Sequence, residues 1–156
     1  MLCMLTAMTA CIGDGTHFCL RYSATSRLRL AALDSAKSKL NQPYFWGGKG
    51  PYIFDCSGLI TWAYRTADSL ILLETQEGFS KVAAVNDLYA LNILTTDRYR
   101  VRRGDIIFIT SDSNKSRVPI SHCGLFVTWI DSDKFSFINA SSHYVKVVTD
   151  TFSIFR

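Results

Sequence analysis

The hydrophobic spacing of this chain changes once, and that change decides the class of fold open to it. Up to about residue 92, apolar side chains recur every three or four positions, the period of amphipathic helices. From Asp105 onward they come in short runs or alternate every second position, the period of strands. Ser26 caps an expected helix to about Leu40, with Leu28, Ala31, Ala32, Ser35, Ala36 and Leu40 on its inner face. Asn41-Gln42-Pro43 ends it, because the residue before proline avoids the helical region. A second helix starts at Asp55 and buries Leu59, Ile60, Ala63, Tyr64 and Ala67. A third spans Ser80 to Asn92, with Val82, Val85, Leu88, Tyr89 and Leu91 turned inward. The expected strands are 105–110, 123–130, 135–140, 144–148 and 151–155, with a hairpin turn at Asp131-Ser132-Asp133-Lys134. Helices first and an antiparallel meander afterwards predict an α+β fold with a sheet of about five strands.

At 156 residues and 48% hydrophobic, the chain has room for one domain with a real core, and its apolar content is too high for disorder. That domain is expected over 25–156, with 1–24 as a separate N-terminal segment. The formal charge of +4 is scattered in short basic spots, the pattern of a solvated surface, and it does not point to nucleic acid. No apolar run is long enough to span a bilayer. The five cysteines cannot all pair, none forms a Cys-x-x-Cys, and the three histidines lie far apart, so no metal or other cofactor is implied. A monomer is expected. The opening MLCMLTAMTAC lacks the positive start of a secretory signal. Met8-Thr9-Ala10-Cys11 nevertheless resembles the site at which bacterial lipoproteins are cleaved and lipidated, and Cys11 would then be the only tie to a membrane.

Between the first two helices lies YFWGGKGP, residues 44–51, where glycines exclude regular structure. It reads as a loop held down by Tyr44, Phe45 and Trp46. The helix after it begins Asp55-Cys56-Ser57-Gly58. Asp55 suits the N-cap, which puts Cys56 in the first turn. There the unpaired N–H groups and the helix dipole favour a thiolate, the form in which a thiol attacks, and the same N–H groups could hold an oxyanion. A buried cysteine is by default an inert small hydrophobe; the surrounding residues argue otherwise here. A cysteine nucleophile needs a histidine to take its proton. Of His17, His122 and His143, the first lies in the N-terminal segment and the last in a turn. His122 opens an apolar strand that could aim it at a cleft.

Residues 44–59, YFWGGKGPYIFDCSGL, closely resemble the nucleophile motif of the NlpC-type cell-wall peptidases, papain-like cysteine enzymes of bacteria. Arg103-Gly104-Asp105-Ile106-Ile107-Phe108 resembles that family's Pro-Gly-Asp segment, with arginine in place of proline. His122-Cys123-Gly124-Leu125-Phe126-Val127 resembles its histidine strand. The resemblance runs from about Ser26 to the C-terminus. It implies Cys56 as nucleophile, His122 as base, and a polar residue on the next strand to orient the imidazole. Asn139 takes that place, on the face shared with Phe137, with a strand-end turn as its competing role and His143 in reserve. The resemblance also places Tyr44, Asp55 and Ser57 along the substrate site, where Asp55 could meet a substrate amine. It implies hydrolysis of peptidoglycan stem peptides, between D-γ-glutamate and the diamino acid, through a thioester, in the cell envelope. An amidase or acyltransferase on another amide, and a silent binding module, remain alternatives. The family's Ser-x-x-Gln-like segment has its nearest counterpart in Glu74-Thr75-Gln76-Glu77-Gly78. Cys123 alternates away from His122 and is expected in the core.

Overall fold

The computed structural model describes residues 24–92, 100–110 and 120–154 in full, and the backbone alone of strands at 2–5, 10–11, 19–20 and 95–96. In chain order the elements are β1 (Leu2–Leu5), β2 (Ala10–Cys11), β3 (Cys19–Leu20), α1 (Ser26–Lys37), α2 (Cys56–Ala67), β4 (Leu73–Thr75), β5 (Gly78–Ser80), α3 (Val85–Leu91), β6 (Thr95–Thr96), β7 (Ile106–Ile109), β8 (His122–Trp129), β9 (Lys134–Ser141) and β10 (Lys146–Ser153). The α+β expectation holds. Among the described residues the sheet has six strands rather than five, in the order β10-β9-β8-β7-β1-β6: two expected strands are the single β10, and two unexpected ones join, β1 pairing antiparallel with both β7 and β6. Nothing in hydrophobic period marks strands as short as β1 and β6. Most of the N-terminal segment 1–24, His17 included, lies outside the described residues.

The sheet separates two apolar layers. On one face Ile106, Phe108, Cys123, Leu125, Ile138, Ala140 and Val147 join Ala32, Leu33 and Ala36 of α1 and Leu59, Ile60, Ala63 and Tyr64 of α2 in the main core. On the other, Val101, Ile107, Ile109, Phe126, Phe135 and Phe137 form a second cluster with Trp129, Phe152 and Ile154 packed on it. Strand alternation therefore sorts β9 as its sequence demands, with Phe135 and Phe137 to one face and Ile138 and Ala140 split from them. β7 is apolar on both sides because both sides are covered.

The helices differ from the expectation at their ends. Thr25, not Ser26, caps α1, its hydroxyl accepting from the Leu28 N–H at 3.2 Å. Leu40 lies beyond α1 and is exposed, while Arg29 is buried on the inner face. A guanidinium belongs there because Asp105 faces it, Nε to Oδ1 3.1 Å. α3 is half the expected length. Its expected first residue, Ser80, belongs instead to the β4–β5 hairpin of residues 73–80, and Asn92, fully buried, ties that hairpin to α3. Asn92 accepts from the Glu74 N–H at 2.8 Å and donates to the carbonyls of Glu74 and Asp87 at 2.7 and 2.9 Å. The two expected C-terminal strands are one, β10, since the chain turns at 142–145, where Val145 takes φ 57°. The Asp131–Lys134 turn is as expected, with Asp131 Oδ1 accepting from the Asp133 and Lys134 N–H groups.

Candidate active site

Of the three aromatics expected to hold the loop at 43–54, Tyr44 packs on the main core, but Phe45 and Trp46 do not. Phe45 is 62% and Trp46 83% exposed. The loop is otherwise fastened by its backbone and by Phe54, which is fully buried and stacks edge-on against Trp62. Phe45 and Phe54 are joined N–H to carbonyl at 2.9 Å, Phe54 N–H reaches the Pro43 carbonyl at 3.1 Å, and Tyr44 N–H reaches the Val145 carbonyl at 3.0 Å. The Gly48 carbonyl accepts from Asp55 N–H at 2.8 Å and lies against α2 at Gly58, where a Cβ would stand 1.9 Å from it. Only glycine at position 58 lets the loop close onto the helix start. The Gly-Gly and the Cys-Ser-Gly of the motif are thus two halves of one contact.

That closure sets the helix start. Asp55 is the N-cap of α2, with φ −93° and ψ 177°, and its Oδ1 accepts from the Gly58 N–H and, at 3.0 Å, from the Ser57 hydroxyl. Its Oδ2 meets Lys49 Nζ at 2.8 Å, and the same ammonium donates to Ser57 Oγ at 3.2 Å. Asp55 and Ser57 are consequently turned inward and bonded within the chain. Tyr44 is half-buried beside Cys56 and Asp55; burial first, then those two charges, raise its phenol above the usual range, so it stays neutral.

Cys56, half-buried in the first turn of α2, makes side-chain hydrogen bonds with Cys123 and His122. The thiol is pulled down to about 5. The hydrogen bond from Cys123 is the largest cause; burial opposes it, and the bond and charge of His122 add to it. Cys123, buried as expected, is pushed well up, by burial first and then by the bond and charge of Cys56; it therefore keeps its proton and donates. Burial works against a charged His122, but the bond and charge of Cys56 and the hydrogen bond with Asn139 outweigh it and raise the imidazole.

His122 Nε2 lies 2.9 Å from Asn139 Oδ1. An amide oxygen only accepts, so Nε2 carries a proton and Nδ1 is the nitrogen left for the thiol. Asn139 is 1% exposed and sits on β9, one strand over from His122. His143 is exposed in the turn, edge-on to the Tyr144 ring, and takes no part. The structure thus brings Cys56, His122 and Asn139 into one chain of contacts. It adds two residues that spacing did not reveal, Lys49 and Cys123. Among the described residues no cluster of His, Cys, Asp and Glu could hold a metal ion.

The NlpC/P60 family model matches residues 41–153. The chain belongs to the NlpC/P60 family. It is 39% identical over 66 residues to a probable endopeptidase of Corynebacterium glutamicum, covering 41% of this chain and 32% of that protein. It is 28% identical over 98 residues to the murein DD-endopeptidase MepH of Escherichia coli, covering 62% and 32%. The chain spans about a third of the length of these curated relatives. Among solved structures, NlpC1 of Trichomonas vaginalis superposes with a TM-score of 0.58 at 24% identity, over 92% of this chain and 45% of that one. The NlpC/p60 domain of the peptidoglycan hydrolase SagA does so with 0.56 at 20% identity, over 81% and 89%. These likenesses place the fold among the papain-like NlpC/P60 domains.

Proposed function

We propose that the chain is a cysteine peptidase that hydrolyses peptidoglycan stem peptides, at the bond between D-γ-glutamate and the diamino acid, through a thioester on Cys56. The observation that carries this reading is the contact chain at the helix start, in which Cys56 meets His122 and His122 is held by Asn139. The names of the endopeptidase relatives, MepH among them, support the substrate class. Cys56 as thiolate attacks the amide carbonyl, and the oxyanion forms beside the free N–H groups of the α2 N-terminus. His122 Nδ1–H gives its proton to the departing amine, the C–N bond breaks and the thioester remains. Water, deprotonated by His122, then displaces the thiolate and releases the acid. Asn139 acts as the orienting residue throughout. Tyr44 lies at the mouth of this site, while Asp55 and Ser57 shape it from behind through the helix cap.

Peptidoglycan as substrate would place the chain in the bacterial cell envelope. A lipid anchor there would sit on Cys11; lipid on Cys11 in mass spectra of the native protein supports it, and an unmodified Cys11 discards it. For the activity itself, the test is mass spectrometry of purified muropeptides after incubation with wild type and Cys56→Ala. Release of a γ-D-glutamyl-terminated fragment by wild type alone is expected. No cleavage by wild type, or cleavage that survives Cys56→Ala, overturns the reading. Cleavage only of other amides, or transfer of the acyl group, would favour an amidase or acyltransferase.

A further inference from the structure

Lys49 lies in the glycine loop that precedes the nucleophile, and its surroundings are unusual for a substrate site. Asp55, the carboxylate that a substrate ammonium would seek, has both oxygens engaged inside the chain. Oδ1 takes the Gly58 N–H and the Ser57 hydroxyl, and Oδ2 takes Lys49 at 2.8 Å. The Asp55 side chain is only 12% exposed, while that of Lys49 is 34% exposed. An ammonium has three N–H donors. Asp55 and Ser57 use two of the three on Lys49.

The exposed side of Lys49 borders a cavity of about 660 Å³ whose other walls are the β4–β5 hairpin and the start of α3, including Thr75, Phe79, Ser80 and Asn86. Among the described residues Lys49 is the one cation of that lining, and Glu77 and Asp87 are its acids. The carboxylate is neutralised, and what faces the cavity is a lysine backed by the positive end of α2.

We infer that Lys49 selects substrates by a free carboxylate, which its third N–H receives in this cavity, against the same substrates bearing a neutral carboxamide there. The inference rests on the peptidase reading for its substrate class, stem peptides, and adds the group that is read. A ligand carrying an ammonium farther along its chain also suits the cavity, because Glu77 and Asp87 line it too.

The experiment uses two stem peptides that differ only in one acidic group, free in one and amidated in the other, with the full chain as wild type, Lys49→Gln and Lys49→Arg. Wild type is expected to favour the acid by about ten-fold or more in kcat/KM, the size of one hydrogen bond to a charged group. Lys49→Gln should bring the ratio near one, with the loss in the KM for the acid, and Lys49→Arg should keep the preference. A wild-type ratio near one, or a preference that survives Lys49→Gln, overturns the inference while leaving the peptidase reading intact. Calorimetric binding of both peptides to Cys56→Ala separates the two claims. If wild type cleaves neither peptide, the peptidase reading falls, and tighter binding of the acid that Lys49→Gln abolishes still supports the role of Lys49. Equal binding, or none, removes it.

Discussion

Two clusters in this molecule bury ionisable groups against a helix, and they use them in opposite ways. At the first, Arg29 of α1 meets Asp105 at the mouth of β7, with both side chains at most 4% exposed. Gly104, at φ +84°, brings its backbone against the Arg29 carbonyl, where a Cβ would stand 2.2 Å away, and Tyr64 of α2 donates to the Gly104 carbonyl at 2.8 Å. Every group looks inward. At the second, Lys49, Asp55 and Ser57 also bond among themselves, and a glycine again allows close approach, but Cys56 is left half-open at its helix end. The first cluster fastens helix to sheet; the second concentrates charge on one accessible sulfur.

Their proton linkages run in opposite directions. Burial raises Asp105 to about 6 from an ordinary 3.8, against the pull of the Arg102 N–H and Arg29. The stability it contributes is therefore present at low pH and lost as pH rises through about 6. Cys56 is lowered to about 5 from 9.0, by Cys123 first. Its contribution is present at high pH and lost as pH falls through about 5. Both midpoints lie below neutral pH, so at pH 7 Asp105 and Cys56 are each mostly ionised, one with its pKa raised and one with its pKa lowered.

The comparison can be broken at several points, the largest effect first. His122→Ala should lower kcat/KM for a cleavable muropeptide by about 10³- to 10⁴-fold while the urea unfolding midpoint stays put; a loss under ten-fold would remove His122 from the chemistry. Asp105→Ala should cost about 3–5 kcal/mol in urea unfolding, the range for orphaning a buried charge, without altering the alkylation rate of Cys56 in the folded protein. A cost below about 1 kcal/mol would show the Arg29 pair to be neutral. Asn139→Ala should reduce kcat/KM by about ten- to hundred-fold, the worth of a hydrogen bond to a charged group, and move the His122 limb of the pH profile to lower pH. An unmoved limb would leave Asn139 a structural role only. Last, wild-type Cys56 should be alkylated by iodoacetamide with a midpoint near pH 5, and Cys123→Ala should raise that midpoint by about one unit, roughly 1.4 kcal/mol. An unchanged midpoint would make Cys123 core and nothing more.

The site was legible in the sequence to an uneven degree. Cys56 could be placed because an N-cap, a first-turn position and a glycine pattern are local facts, and the cap and helix lie where expected. Asn139 could be assigned to a face because alternation is local too. Lys49 was invisible as a partner of Asp55, six residues away, since nothing in a glycine-rich loop states which way it folds back. Cys123 was read as core and is core; its bond to Cys56 depends on how α2 lies across β8. The β4–β5 hairpin was missed because its strands are three residues each, and the holding group, Asn92, lies 18 residues beyond Glu74.

By itself the sequence determined the first two helices, the run of strands from β7 onward, where the nucleophilic turn begins, and which of their faces are apolar, because period, capping and turn chemistry act over a few residues. Tertiary structure alone decided that the carboxylate at the helix cap is already neutralised, that a second thiol supports the first, that a buried arginine on α1 answers Asp105, and that β1 and β6 join the sheet. Each of those depends on groups distant in sequence being brought within hydrogen-bonding reach, and charge and thiol chemistry change sharply over such distances.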